Sequence, residues 1–233
     1  MKRKIDFFNL LEAYFCPICN NPSSAEICLN CQKELFNPPA HCLSCSKLLS
    51  QNSSLCAKCV KKKPALDKLA VCFDYKGIAR DLVLAAKYGR NRLALKFMAN
   101  KIYEVFIKKF ALQKPDLIIP IPLTSQRLEE RGFNQSHFLA ENLGQFSKIE
   151  KGILLKDNLN PQSSIEEAAE RKKNILGAFS IINNAENKIR NKKILLIDDV
   201  STTGSTLNEA AKILKMNGAD MVFGLVFAAT FYQ

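Results

Sequence analysis

Eight of the nine cysteines stand in four C-x-x-C pairs: Cys16 with Cys19, Cys28 with Cys31, Cys42 with Cys45, and Cys56 with Cys59. Two cysteines three apart on a tight knuckle aim both sulfurs at one point, and a second knuckle completes the tetrahedron that zinc accepts. Four knuckles therefore predict two four-cysteine sites, each closed around a structural zinc. Consecutive pairing is the simpler arrangement, but an interleaved one (first with third, second with fourth) has the same sequence signature. His41, directly before Cys42, offers an alternative ligand. The chain between knuckles is eight residues long in the first unit and ten in the second. Neither unit has room for a core, so a metal must fold it, each zinc supplying on the order of ten kcal/mol. Disulfides would not hold such a segment in a reducing compartment. Cys72 stands alone among Leu69, Ala70, Val71 and Phe73 and reads as a small core residue.

The second constellation is a loop. Four apolar residues, 194–197, lead into Asp198, Asp199, Val200, Ser201, Thr202, Thr203, Gly204, Ser205 and Thr206, and then into a helix-forming stretch. Ligands of open α/β sheets collect at the carboxyl ends of strands, where the next helix begins with free N–H groups and a positive dipole end. Gly204 lets the backbone approach an anion closely, and Thr202, Thr203, Ser205 and Thr206 offer hydroxyl donors. Adjacent carboxylates would repel a phosphate directly, but Asp198 and Asp199 suit ribose hydroxyls or a magnesium ion. The pattern favours a sugar phosphate over a bare phosphate. It lacks the Gly-Lys-Ser/Thr ending of a Walker loop.

These residues need a scaffold, and the periodicity supplies one. Residues 70–75 read as a strand, 78–88 as a helix ended by Gly89, and 93–110 as a longer helix with Leu95, Met98, Ile102, Val105, Phe106 and Ile107 on its apolar side. Residues 116–119 form a short strand cut off by Pro120 and Pro122, and 136–146 an amphipathic helix after a polar loop. A short strand is expected at 153–154, and a polar exposed loop at 183–187. Residues 194–197 read as a buried strand, 206–217 as a helix ended by Gly218, and 221–228 as a last strand. Strands alternating with helices predict an α/β domain, a parallel sheet flanked by helices. Residues 64–67 mark a boundary. The chain thus divides into a cysteine-rich zinc-binding module, 1–66, and a ligand-binding domain, 67–233.

Composition bounds the partners. The formal net charge is +12, and thiolates holding two zinc ions would lower it without reversing it. A basic chain favours nucleic acid, phosphate-rich ligands or an anionic membrane surface. The first residues lack the continuous apolar run of a signal peptide, and no window approaches eighteen apolar residues, so the expectation is a cytoplasmic protein without a transmembrane segment.

Residues 194–206 (ILLIDDVSTTGST) resemble the signature of type I phosphoribosyltransferases for 5-phosphoribosyl-1-pyrophosphate (PRPP). That likeness implies that Asp198 and Asp199 hold the ribose hydroxyls, that Ser201, Thr202, Thr203, Gly204, Ser205 and Thr206 enclose the 5-phosphate, and that magnesium accompanies the pyrophosphate. Further blocks are the four knuckles, 85–90 (AAKYGR), Pro120 to Pro122 with Arg127, 131–135 (RGFNQ), and Gln162 with 171–179 (RKKNILGAF). With these, nearly the whole chain resembles the ComF family of competence proteins. Membership implies handling of incoming single-stranded DNA in the cytosol during natural transformation, with a competence helicase or other uptake machinery as partner; the basic surface, separately, suits peripheral contact at the inner face of the membrane. Lys87, Arg90, Arg127, Arg131 and Arg171 are cations enough for a pyrophosphate beside a monophosphate.

Two functions fit these residues, besides a PRPP-sensing module in which ligand occupancy alters a partner or DNA contact without a reaction. One is a DNA-uptake protein that binds PRPP and contacts single-stranded DNA, with Phe133, Tyr75 and Tyr88 as stacking candidates whose default is packing. The other is an active phosphoribosyltransferase passing phosphoribose to a base or another nucleophile. No diagnostic base-recognition segment stands in the sequence to choose between them.

Overall fold

The computed structural model describes residues 14–50, 53–156, 179–182 and 185–232. Gln162, Arg171 with the rest of 171–178, Asn183 and the amino-terminal stretch 1–13 lie outside the described residues.

In chain order, β1 (Tyr14–Phe15) and β2 (Pro22–Ser23) pair antiparallel around the first knuckle. Helices α1 (Leu29–Lys33) and α2 (Ala57–Lys61) carry Cys31 and Cys59. There follow β3 (Lys68–Asp74), α3 (Gly77–Lys87), α4 (Arg92–Lys109), β4 (Leu117–Pro120), α5 (Ser125–Arg131) and α6 (Gln135–Glu141). Then come β5 (Lys148–Ile149), β6 (Leu154–Lys156), β7 (Phe179–Ile181), α7 (Glu186–Ile189), β8 (Lys193–Ser201), α8 (Ser205–Met216) and β9 (Met221–Ala229).

Five strands form one parallel sheet in the order β3-β9-β8-β4-β5. Its central strands are apolar on both faces because both are covered. Leu195 and Ile197 of β8 and Phe223, Leu225 and Phe227 of β9 pack toward α3, α4 and α6, where Leu82, Met98, Ile102 and Leu139 meet them. The alternate residues Ile194, Leu196, Val222 and Val226 pack toward Leu207, Ala210 and Leu214 of α8. This period-two alternation explains why 194–197 is an unbroken apolar run. Truncating a fully buried residue such as Ile197 to alanine should cost roughly 2–5 kcal/mol. Cys72 is buried in the first of these layers, as its apolar neighbours predict.

Several elements depart from expectation. Helix α5 stands where the sequence reads as a polar loop. The Thr124 hydroxyl accepts from the Arg127 N–H at 3.4 Å to cap its start, and Gly132, at φ +76°, closes its end. Helix α6 stops at Glu141 instead of reaching 146; Leu143, Gly144 and Phe146 curl into successive turns that bond back three residues. Helix α7 takes up Glu186 and Asn187, which read as part of a polar loop in the sequence. β8 also runs on past 197, since β9 still offers it partners: Asp198 lies opposite Val226, Val200 opposite Ala228, and Ser201 opposite Ala229.

The cysteine units lie against the domain. Cys16, Ile27 and Cys31 are buried in the same core as α3 and α4, and Glu26 bonds Lys96 at 3.3 Å and Asn100 at 3.2 Å. The second unit is held elsewhere. The Leu69 N–H donates to the Leu43 carbonyl, the Leu48 N–H donates to the Tyr232 carbonyl at 2.8 Å, and the His41 and Phe231 rings sit 4.8 Å apart.

Candidate functional site

The cysteines gather consecutively. Cys16, Cys19, Cys28 and Cys31 form one cluster and Cys42, Cys45, Cys56 and Cys59 the other, the four sulfurs of each within 4.8 Å of one another. A tetrahedron with Zn–S bonds of about 2.3 Å has edges of about 3.8 Å. The separations of Cys16 from Cys31 (3.7 Å), Cys19 from Cys28 (3.5 Å) and Cys45 from Cys56 (3.8 Å) match it. These residues can therefore hold two zinc ions. His41 is in neither cluster; its Nδ1 lies 2.6 Å from the Pro39 carbonyl.

Both units share one build. A knuckle turns on a residue with positive φ (Asn20 at 57°, Ser46 at 61°), and the second pair straddles a helix start, with Cys28 or Cys56 at the N-cap. Burial opposes the Cys16 thiolate, but backbone N–H groups of Cys19, Cys28 and Ile18 outweigh it and bring the thiol down to about 6. Burial and the neighbouring sulfurs push Cys31 up. Cys56 and Cys59 repeat this split. Four such thiols crowd together as thiolates only around a cation.

The loop is assembled at the carboxyl end of β8. Asp198 and Asp199 are the sixth and seventh residues of that strand. Ser136, at the start of α6, donates its hydroxyl to Asp198 Oδ1 at 2.8 Å, and the Asp199 N–H donates to the same oxygen at 2.9 Å. Lys87, the last residue of α3, places its ammonium 2.9 Å from Asp199 Oδ1. Burial, then the adjacent Asp199 charge, raise the Asp198 carboxyl to about 6 against the pull of Ser136, the Asp199 N–H and Lys87.

Beyond them Thr202 and Thr203 are exposed, and Ser205 and Thr206 begin α8 half-buried. The Thr203 and Ser205 hydroxyls sit 2.6 Å apart. Ser201 is buried, and among the described residues its hydroxyl has no partner. Gly204 has φ +72°, and a Cβ there would lie 3.4 Å from the Ser44 carbonyl and 3.5 Å from Cys45 Cα. The glycine serves the left-handed turn, and at that turn the loop rests in van der Waals contact with the second cysteine knuckle.

The RGFNQ block is the scaffold of the opposite rim. Asn134 caps α6 by accepting from the Ser136 N–H at 3.0 Å and donates to the Ile121 carbonyl at 2.9 Å, tying α6 to the end of β4. Gln135 is buried, and its carbonyl oxygen accepts from Arg131 at 3.1 Å. Gly132 leaves space for Arg90, whose Nη2 would lie 3.4 Å from a Cβ there, while Arg131 sits 5.7 Å from the centre of the Tyr88 ring. Arg127 is exposed on α5.

Sequence reasoning missed Ser136 and Lys156. Ser136 was detectable, since an asparagine two residues before it begins a helix. Lys156 had no local signal. Pairing of β6 with β7 carries it beside the site, with its ammonium 5.4 Å from the Phe179 ring centre. Burial lowers its pKa; the charges of Asp198 and Asp199 oppose this, and those of Arg127 and Arg131 reinforce it.

A parallel sheet whose central strand ends in two carboxylates and a hydroxyl-rich turn into a helix defines a phosphoribosyltransferase-type domain, and residues 93–230 match the phosphoribosyl transferase domain family. The chain is 30% identical over 209 residues to Competence protein ComFC of Bacillus subtilis, covering 89% of this chain and 74% of that one. It is 29% identical over 209 residues to Competence protein F of Haemophilus influenzae (87% and 90%), and 27% identical over 215 residues to DNA utilization protein YhgH of Escherichia coli (89% and 93%). The chain belongs to the ComF family of competence proteins, built on a phosphoribosyltransferase domain.

Proposed function

We propose that this chain serves DNA uptake in natural transformation, binding PRPP or a related ribose 5-phosphate and handling incoming single-stranded DNA in the cytoplasm. The observation that carries the reading is the pair Asp198 and Asp199, held by Ser136 and Lys87, immediately before the Thr202–Ser205 turn. In this reading the two carboxylates accept from the ribose hydroxyls. Ser201, Thr202, Thr203, Gly204, Ser205 and Thr206 surround the 5-phosphate with hydroxyl and backbone N–H groups at the start of α8. Magnesium enters with the pyrophosphate, and Lys87, Arg90, Arg127 and Arg131 balance the remaining charge. The printed names of the relatives, competence and DNA utilization proteins, support the link to DNA. No helix among the described residues is long and apolar enough to cross a membrane. A basic surface of net charge +12 suits polyanions, including anionic lipid at the inner face of the membrane.

Calorimetric titration of the zinc-loaded protein with PRPP and magnesium tests the site. Binding that disappears in an Asp198→Asn, Asp199→Asn variant is the expected result, and binding that survives it overturns the site assignment. Repeating the titration with a short oligonucleotide tests the DNA part.

A second reading, active phosphoribosyl transfer, is favoured by the cations around the carboxylate pair, now including Lys156, which suit a departing pyrophosphate. Release of pyrophosphate from PRPP in a screen of nucleobases would establish it.

A further inference from the structure

Among the described residues Tyr14, Phe15, Phe36, Tyr88, Phe146 and Tyr232 are the exposed aromatic rings, and Tyr88 is the most exposed of them. Phe146 packs against Tyr103 and Phe106, with ring centres 5.9 and 5.2 Å apart. Phe36 is half-exposed under the Lys76 ammonium at 4.5 Å, but Asp74 neutralises that lysine at 2.7 Å. Phe133 and Tyr75 are partly buried against the core, as their default reading predicts. Tyr88 departs from it: 72% of its surface is exposed.

The surroundings of Tyr88 differ in charge as well. Arg131 lies over the ring with only the neutral Gln135 as partner. Arg90, two residues after Tyr88, has φ +46°, a conformation that costs a non-glycine residue energy and that here accompanies a guanidinium packed on Gly132. Among the described residues Arg90, Arg127 and Arg131 form no ion pair with a carboxylate. Lys87, the residue before Tyr88, holds Asp199.

We infer that Tyr88, flanked by Arg90 and Arg131, is a stacking platform for an unpaired nucleobase, so that single-stranded DNA runs along the basic rim of the sugar-phosphate site. One face of the ring carries Arg131; the rest, open to solvent, accepts the face of any base, and the two guanidinium groups meet the phosphates on either side. A duplex hides its base faces in the stack, so the platform selects single strands. The inference rests on the reading of this chain as a handler of single-stranded DNA and gives that reading its surface.

The test uses the full chain, zinc-loaded, with a fluorescein-labelled oligothymidylate of about 20 nucleotides, long enough for a typical single-strand site. Tyr88→Ala and Tyr88→Leu are expected to weaken binding by roughly 5- to 100-fold, the range of one lost stacking contact, and Tyr88→Phe to stay within about twofold of wild type. PRPP titration of the same variants separates a lost stacking contact from a displaced Arg131, and affinity within about threefold of wild type is expected. An oligonucleotide carrying 5-iodouracil should crosslink on irradiation to the peptide containing Tyr88. If wild type binds the oligonucleotide and Tyr88→Ala and Tyr88→Leu bind it equally well, or if the crosslink maps elsewhere, this inference falls while the DNA reading stands. Should wild type bind no oligonucleotide, both fall. Equal binding of a blunt duplex, or of anionic vesicles lost in Tyr88→Ala, overturns the single-strand assignment.

Discussion

The two cysteine units have the same ligands, the same knuckle and the same short helix, yet they occupy different kinds of place. The first is fused into the core: Cys16, Ile27 and Cys31 pack with the residues that cover the sheet beneath α3 and α4. The second forms a small cluster of its own, Cys42, Cys56 and Cys59, and presents Ser44 and Cys45 to Gly204. A metal site contributes to whatever its ligands touch. Metal in the first unit should therefore act on the stability of the domain and metal in the second on the loop 201–206.

The largest expected effects come from removing one ligand in each unit. Cys31→Ser should lower the melting temperature of the whole domain by roughly 10 °C or more, because the loss of several kcal/mol falls on the main core. Cys59→Ser should shift it by only a few degrees while weakening PRPP binding about tenfold. Zinc content by colorimetric release, melting by calorimetry and PRPP titration on both variants measure this, and equal melting shifts would break the comparison.

The next effect separates stability from binding at the site itself. The folded-state carboxyl of Asp198 is raised from an ordinary 3.8 to about 6, so the folded protein holds that proton more tightly than the unfolded chain. The associated stability is present below about pH 4 and is lost as pH rises through 6. Asp198→Asn should thus melt a few degrees above wild type at pH 8 and coincide with it near pH 4, while losing PRPP binding. A lower melting temperature at pH 8 would mean that the carboxylate supports the fold.

Gly204→Ala is expected to cost roughly 1–2 kcal/mol for its left-handed backbone and, by shifting the turn that rests on Ser44 and Cys45, to reduce PRPP affinity about tenfold. Unchanged affinity would detach the second unit from the loop. At the smallest end, Glu26→Ala breaks contacts to Lys96 and Asn100 on the first unit and should cost less than about 1 kcal/mol, with no change in PRPP titration.

Much of this was legible in the residues. The eight ligands are spaced by local geometry, and the parallel sheet follows from apolar runs alternating with amphipathic helices. The loop from Asp198 to Thr206 announced itself because strand end, glycine and hydroxyls are contiguous. Pairing of the knuckles was not legible, since both arrangements share one spacing. Helix α5 was hidden because it buries no residue and so carries no apolar stripe, leaving only Thr124 and Gly132 as signals. Lys156 reaches the site through pairing of β6 with β7, and the contact of Gly204 with Cys45 spans more than 150 residues. Sequence periodicity does not encode such distances.

The bond from Leu48 to Tyr232 also sets an order of events in the cell. The second cysteine unit is translated early, but its flank is not clipped down until residues 231–232 have been made. At synthesis rates of 5–20 residues per second that interval is roughly 10 to 40 seconds. During it the first unit can begin to settle on α3 and α4, which follow within some eighty residues. The second unit meanwhile has its bond from Leu69 to Leu43 to hold it to β3. The seat of the second unit against the loop 201–206 is thus completed only after that loop has been made.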